Sequence, residues 1–277
     1  MTKVFVYGTL LSGMERAQAL AESSFLGHAC ISGAIYDLGS YPGLLEGSGQ
    51  VYGEIYAVTA QLLEQLDSIE GYMPENRHAS LYLRKTVNAT RLGDGGSEEV
   101  FTYFFNHPMK LEQPIMCGDY RRYCIEQGLD DPWYLAYGSN LSSRRVTERV
   151  GAPLATQSGY LRGYSLRYTK RADGGGAYAN LLYTGGESRC PVVAYRLTDS
   201  QLYELDRYEG EPTHYVRLGI PFQIAQDASH LGYIYLARPE YLTREERPAE
   251  SYLRHIREGY EEHGFALEEL PVCVSES

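Results

Sequence analysis

Two glutamates stand where a carboxylate could move a proton. Glu70 and Glu209 each close the pattern Leu-Asp-x-x-Glu-Gly, at residues 66–71 and 205–210. Each is expected in the last turn of a helix, ahead of a glycine suited to cap it. The helix macrodipole is negative at that end, and the neighbours Leu66, Ile69, Leu205 and Tyr208 offer apolar surface. Burial and a negative potential both disfavour an ionised carboxylate and raise its pKa toward neutrality. A glutamic acid tuned in this way can act as base and then as acid near pH 7. A solvated Glu at a fraying helix end is the plainer explanation of a single copy. The same setting in two copies favours chemistry.

The second repeated feature is a turn. Tyr7-Gly8-Thr9-Leu10 follows the apolar run Val4–Val6, and Tyr137-Gly138-Ser139-Asn140 follows Tyr134–Ala136. A strand ends, glycine lets the chain turn sharply, and backbone N–H groups exposed there can hold a carboxylate or an oxyanion. Other chemistries are poorly represented. There is no G-x-S-x-G, and the Gly-rich stretch Gly174–Ala179 precedes a strand, which reads as a loop and not a dinucleotide site. The histidines do not cluster and lack metal-ligand spacing, so metal binding is not expected. Asp67 and Asp206, three residues before each Glu, read as supports of their own helices.

These motifs recur because the chain reads twice. The segment Tyr56–Gly71 aligns without a gap on Tyr195–Gly210, and the two turns precede it in the same order. A length of 277 residues suits two domains. The boundary falls between Tyr120 and Trp133, giving domains at 1–128 and 129–277. A short helix is expected over 121–128, then the polar link Leu129-Asp130-Asp131-Pro132. Strands are expected at 33–38, 51–58, 81–89 and 100–105, and at 160–168, 177–183, 192–197, 215–222 and 231–236. Helices follow the N-cap residues Thr59 and Thr198, and a last one runs from about Ala249 to His263. Each half is therefore β-rich α+β, a small barrel or strongly curled sheet with helices outside.

Composition narrows the class of partner. The net charge of −11 argues against nucleic acid or an anionic membrane. No apolar run approaches the length of a membrane span. The cysteines, Cys30, Cys117, Cys124, Cys190 and Cys273, are odd in number and widely spaced, which points to a reducing, cytoplasmic setting. Tyrosine is over-used, at 26 residues against one Trp, and its rings are expected half-buried on strands or lining a cleft.

At these residues the chain resembles a known family. Val4–Leu10, Tyr41-Pro42-Gly43, Gly53-Glu54-Ile55-Tyr56, Leu66–Tyr72 and Tyr82-Leu83-Arg84 are similar to the γ-glutamylamine cyclotransferase (AIG2-like) branch of the γ-glutamylcyclotransferase-like fold. Ala136–Leu141, Leu205–Gly210, Tyr215-Val216 and the helix region Pro248–Gly264 resemble γ-glutamylcyclotransferase itself. The resemblance implies two tandem small mixed β-barrels with flanking helices, each with a cavity at one end. It implies that the turns Tyr7–Leu10 and Tyr137–Asn140 hold a γ-glutamyl group and that Glu70 and Glu209 are the acid/base residues. The reaction would be intramolecular attack of the substrate's α-amine on its γ-carbonyl, releasing 5-oxoproline and a free amine without metal or cofactor. The partner would be a small γ-glutamyl substrate. The segments Gly71–His78 and Glu211–His214 depart from the family pattern and are expected to shape the cavity mouths. The competing reading is a non-catalytic module that binds an amino-acid-like ligand. Oligomeric state is not legible.

Overall fold

The computed structural model describes residues 1–108, 113–223 and 229–271. Cys273 lies outside the described residues. The fold is mixed α+β and divides into two compact units, residues 1–91 with 96–127, and residues 92–95 with 128–277.

The first unit contains β1 (Thr2–Val6), β2 (Ser24–Asp37), β3 (Pro42–Val58), α1 (Ala60–Ile69), β4 (Tyr82–Arg91), β5 (Ser97–Phe105), β6 (Gln113–Pro114) and α2 (Tyr120–Glu126). β1 pairs antiparallel with β3 and parallel with β5. β5 pairs with β4, β4 with β2, and β2 returns to β3. Five strands thus close into a barrel, with β6 on the end of β2. Its core is aliphatic and aromatic, including Val4, Phe5, Ile31, Ile35, Leu44, Ile55 and Leu66. β1 crosses β3 so closely that a Cβ on Gly53 would stand 2.1 Å from the Val6 carbonyl oxygen. That approach explains glycine in Gly53-Glu54-Ile55-Tyr56.

Beside Gly53 the barrel buries an ion pair. Glu54 is fully buried and meets Arg121 of α2 at 2.6 Å. Its carboxylate also accepts from the Ser12 N–H (2.8 Å), the Ser12 hydroxyl (2.6 Å) and the Tyr56 hydroxyl (2.9 Å). Burial opposes ionisation, but Arg121, His28 and Ser12 outweigh it and hold the Glu54 carboxyl at about 2. α2 is capped at its start by Asp119, whose side chain accepts the Arg121 N–H at 2.9 Å, and at its end by Gln127, one residue short of the expected end at 128.

The second unit contains β7 (Trp133–Ala136), α3 (Ser143–Val150), β8 (Ala155–Arg162), β9 (Tyr164–Arg171), β10 (Ala177–Tyr183), β11 (Arg189–Arg196), α4 (Asp199–Glu209), β12 (Tyr215–Phe222), β13 (His230–Ala237) and α5 (Glu250–His263). Its sheet has the order β12-β13-β7-β11-β8, with β9 and β10 as a separate two-stranded ribbon. β7 runs antiparallel to β11 and parallel to β13, the relation β1 has to β3 and β5. α4 follows β11 as α1 follows β3. Thr59 and Thr198 cap these helices as expected, Thr198 in a full capping box with Gln201. The run expected as one strand over 160–168 is broken at Gly163, whose φ of +83° turns β8 into β9. Several tyrosines are more deeply placed than expected: Tyr168, Tyr195, Tyr233, Tyr235 and Tyr260 are fully buried. Among the described residues no helix is long and apolar enough to cross a membrane.

The buried pair sets a stability test. Glu54→Leu leaves Arg121 uncompensated inside the barrel and is expected to cost about 3–5 kcal/mol. The double variant Glu54→Leu/Arg121→Met is expected to recover more than half of that loss in the same urea titration. Simple addition of the two single losses would show that the pair is not coupled.

Candidate active site

Each Glu is carried by a helix end that is clamped to the sheet beneath it. Asp67 accepts the Tyr103 hydroxyl of β5 (2.8 Å) and pairs with Arg84 of β4 (2.5 Å). Asp206 accepts the Tyr235 hydroxyl of β13 (2.6 Å) and pairs with Arg217 of β12 (3.1 Å). These aspartates therefore tie helix to sheet, where the sequence suggested support of their own helices. The clamp was the functional feature least visible in sequence. Its signal was the shared Asp together with Arg84 and Arg217, each two residues after a strand tyrosine, Tyr82 and Tyr215.

The turn is fixed by the same strands. The Tyr7 hydroxyl donates to the Tyr103 carbonyl (2.7 Å), and the Tyr137 hydroxyl to the Tyr235 carbonyl (2.5 Å). Tyr82 donates to the Pro42 carbonyl and Tyr215 to the Ala179 carbonyl. Gly8 and Gly138 each open a turn closed by an N–H to carbonyl bond of 3.0 Å, from Leu11 and Leu141. Their glycine is required by close approach: a Cβ would lie 2.8 Å from Pro42 at Gly8 and 2.9 Å from Ala179 at Gly138.

In the first half, Tyr7, Gly8, Thr9, Leu10 and Glu70 line one cavity of about 110 Å³ with Arg16, Tyr41 and Tyr82. Glu70 is the C-cap residue of α1, and Gly71 follows with φ +60°. Among the described residues its carboxyl has no hydrogen bond or ion pair. Burial pushes Glu70 up from 4.5 to about 7, against a smaller opposing pull from Arg16. Thr9 and Leu10 offer backbone N–H groups that meet no protein acceptor among the described residues.

In the second half, Tyr137, Gly138, Ser139, Asn140 and Glu209 wall a narrow inner cavity of about 30 Å³. It shares Ser139, Glu209, Tyr215 and Tyr252 with an outer cavity of about 480 Å³. Here the Glu is engaged. The Asn140 amide donates to Glu209 at 2.9 Å, and Arg149 donates to both Glu209 (3.0 Å) and Asn140 (2.9 Å). Tyr252 of α5 hydrogen-bonds Ser139 and accepts the Ala179 N–H at 3.1 Å. α5 reaches the turn because Gly259 has no side chain; a Cβ there would lie 2.4 Å from the Leu141 Cβ. Of the segments expected at the cavity mouths, Glu211–His214 contributes His214 to the outer cavity, whereas none of Gly71–His78 is among the lining residues of the first, where Leu81 stands after the 3-10 turn Pro74–Ala79.

Burial of Glu70 has a thermodynamic signature. Its folded pKa of about 7 lies above the unfolded value, so the folded state holds the proton more tightly and loses stability as pH rises from 4.5 through 7. Glu70→Gln removes that loss. It is expected to be more stable than the parent by roughly 3 kcal/mol at pH 8 and about equal at pH 4. Thermal melts at the two pH values check it; an equal effect at both would mean that Glu70 is not proton-linked to folding.

The sequence profile of the family described as gamma-glutamyl cyclotransferase, AIG2-like, matches the chain twice, at residues 4–122 and 134–255. A Vibrio cholerae protein carried under the name of a gamma-glutamylcyclotransferase candidate is 44% identical over 119 residues, 42% of this chain and 93% of its own. The Niallia circulans protein named gamma-L-glutamyl-butirosin B gamma-glutamyl cyclotransferase is 31% identical over 128 residues, 46% of this chain and 80% of its own. YkqA of Bacillus subtilis shares the fold across both halves, with a TM-score of 0.73 at 24% identity over 96% of this chain and 94% of that one. With both halves matched by one profile, the chain belongs to the AIG2-like gamma-glutamyl cyclotransferase family and is an enzyme of that kind.

Proposed function

We propose that the chain releases γ-glutamyl groups as 5-oxoproline, with Glu70 and Glu209 as the acid/base residues of the two halves. The observation that carries this reading is Glu70: a carboxyl without a partner, lifted by burial to about 7, in one cavity with the free N–H groups of Thr9 and Leu10. The substrate's α-ammonium gives a proton to the carboxylate. The freed amine attacks the γ-carbonyl and closes a five-membered ring, so positioning removes much of the barrier. The Thr9 and Leu10 N–H groups stabilise the oxyanion of the tetrahedral intermediate. The protonated Glu then delivers its proton to the departing amine as the C–N bond breaks. A pKa near 7 suits both transfers. In the second half the same sequence requires Arg149 and Asn140 to release Glu209 as substrate enters.

The substrate is a γ-glutamyl amide of an amino acid, an amine or a larger natural product. The name of the Niallia circulans relative supplies one example of the last kind.

The test is 5-oxoproline release from a panel of γ-glutamyl compounds. Glu70→Gln is expected to lower kcat of the first half by about 10²–10⁴-fold, the usual contribution of a positioned acid/base. The residual rate is expected to vanish in Glu70→Gln/Glu209→Gln. Activity untouched by either change would refute the assignment of both residues. Ligand-dependent stabilisation without product from any compound would identify a binding module instead.

A further inference from the structure

The second half buries an amine that the reaction does not use. Side chains alternate along β9, so Leu166, Tyr168 and Lys170 fall on its buried face, while Arg167 lies on the other and pairs with Glu245. The chain has four lysines, Lys3, Lys85, Lys110 and Lys170. Lys3 pairs with Glu98 and Lys85 with Glu46, and Lys110 lies outside the described residues. The buried arginines, Arg121 and Arg217, meet the carboxylates of Glu54 and Asp206. Lys170 is 4% exposed, yet its amine has no hydrogen bond or ion pair among the described residues. The nitrogen lies instead over the rings of Tyr178, Tyr215 and Tyr241, at 5.3, 5.7 and 5.6 Å from their centroids.

Aromatic faces compensate an ammonium in part, but a desolvated cation without an anion is costly. Arginine cannot shed that charge; lysine can, by giving up its proton. Burial accordingly lowers the Lys170 pKa; Asp173 and Glu209 pull it back in part, and Arg171 pushes it down. A desolvated lysine amine is a nucleophile toward carbonyl compounds. The cavity decides which carbonyl compound reaches it. Lys170 lines the outer cavity of about 480 Å³ with the rings of Tyr178, Tyr208, Tyr215 and Tyr252, room and surface for a small aromatic molecule. Arg145, on the same wall, donates to the Ser139 hydroxyl at 3.2 Å and pairs with no carboxylate among the described residues, so it is open to an anion. His214 also lines this wall and packs on the Tyr241 ring, with centroids 4.5 Å apart. Its Nδ1 has no hydrogen-bond partner among the described residues.

We infer that Lys170 is a covalent capture site for aromatic aldehydes that carry an anionic group, with the aldehyde held as an imine and the anion by Arg145. The neutral amine adds to the carbonyl carbon, the C=O π pair moves to oxygen, and a proton passes from nitrogen to that oxygen. The nitrogen lone pair of this carbinolamine then forms the C=N bond, the hydroxyl leaves as water, and the remaining N–H proton balances the one that water takes. Amine and aldehyde thus give imine and one water, with no oxidant or reductant. His214 is the ring placed to carry these protons. The inference does not rest on the cyclisation reading, although an adduct would stand in a cavity that Glu209 also lines.

The test is reductive trapping on the full chain. 4-Formylbenzoate, or its uncharged match 4-formylbenzamide, is added with cyanoborohydride, which fixes an imine as a secondary amine, and peptide mass spectrometry locates the added mass. With 4-formylbenzoate, Lys170 is expected to be labelled about tenfold or more faster than the other three lysines. It is expected to react about tenfold faster with 4-formylbenzoate than with 4-formylbenzamide. Both preferences are expected to vanish in concentrated urea. Arg145→Gln is expected to keep the adduct and lose the charge preference. Lys170→Met, which keeps the packing of the stem, is expected to lose the adduct and leave the other lysines labelled as before. The adduct is mapped on the parent chain, so the outcome does not hang on either variant folding. Labelling of Lys170 no faster than that of the other lysines, an unchanged preference in urea, or equal rates with the two aldehydes would overturn the inference.

Discussion

Asp67 joins three elements that are distant in the chain: the end of α1, Arg84 on β4 and the Tyr103 hydroxyl on β5. Asp206 does the same with α4, Arg217 and Tyr235. The placement of each glutamate depends on this clamp, because Glu70 and Glu209 lie three residues further on, where the helix is ending. A helix terminus held only by its own last turn frays. One held by a charged, partly buried contact to two strands keeps its final side chain over the same part of the sheet. Tyr103 and Tyr235 serve the turn as well, since their backbone carbonyls accept the Tyr7 and Tyr137 hydroxyls. Carboxyl and turn are thus registered on a single strand in each half.

Within that common frame the two halves differ electrostatically, and much of the difference traces to one residue of the turn. Leu10 stands where the second half has Asn140. An aliphatic side chain cannot donate to a carboxylate, so Glu70 is left to burial and its proton is held to about 7. Asn140 donates to Glu209 and accepts from Arg149, and Arg149 closes the triangle on the carboxylate. Arg149 comes from α3, which follows the second turn directly, whereas the chain after the first turn passes through the short 3-10 segment Ala17–Leu20.

The repeat was legible in sequence because its strongest signals are local. The Thr caps, the Leu66 and Leu205 contacts, the terminal glycines and the Tyr-Gly turns all follow from residues near one another in the chain. The apolar neighbours of Glu70 foretold its burial for the same reason. What escaped was non-local or counter to periodicity. β2 runs from Ser24, well before the expected Gly33, and β3 from Pro42, through Glu46–Gln50, where its register against β2 jumps from Leu45 opposite Ala34 to Gln50 opposite Ser32. α3 is rich in charge and has one buried residue, Val146, so it lacks the apolar face by which helices are recognised. The Glu54–Arg121 pair spans 67 positions, and nothing in the composition of either neighbourhood marks it.

The frame and the walls are under different physical constraints. Replacing Asp67, Tyr103 or Gly53 would strand a buried partner or drive a Cβ into backbone, so these positions tolerate little change. Arg16, exposed at the wall of the first cavity, is under no such constraint, whereas Leu10 packs in the barrel core and Asn140 is held by Tyr134, Glu209 and Arg149. Two copies of one scaffold thus keep the same aspartate clamp while the cavities beside their glutamates differ: a small, largely apolar one at Glu70, and a wide one at Glu209 whose wall carries Arg145, Arg149, Lys170 and Arg207.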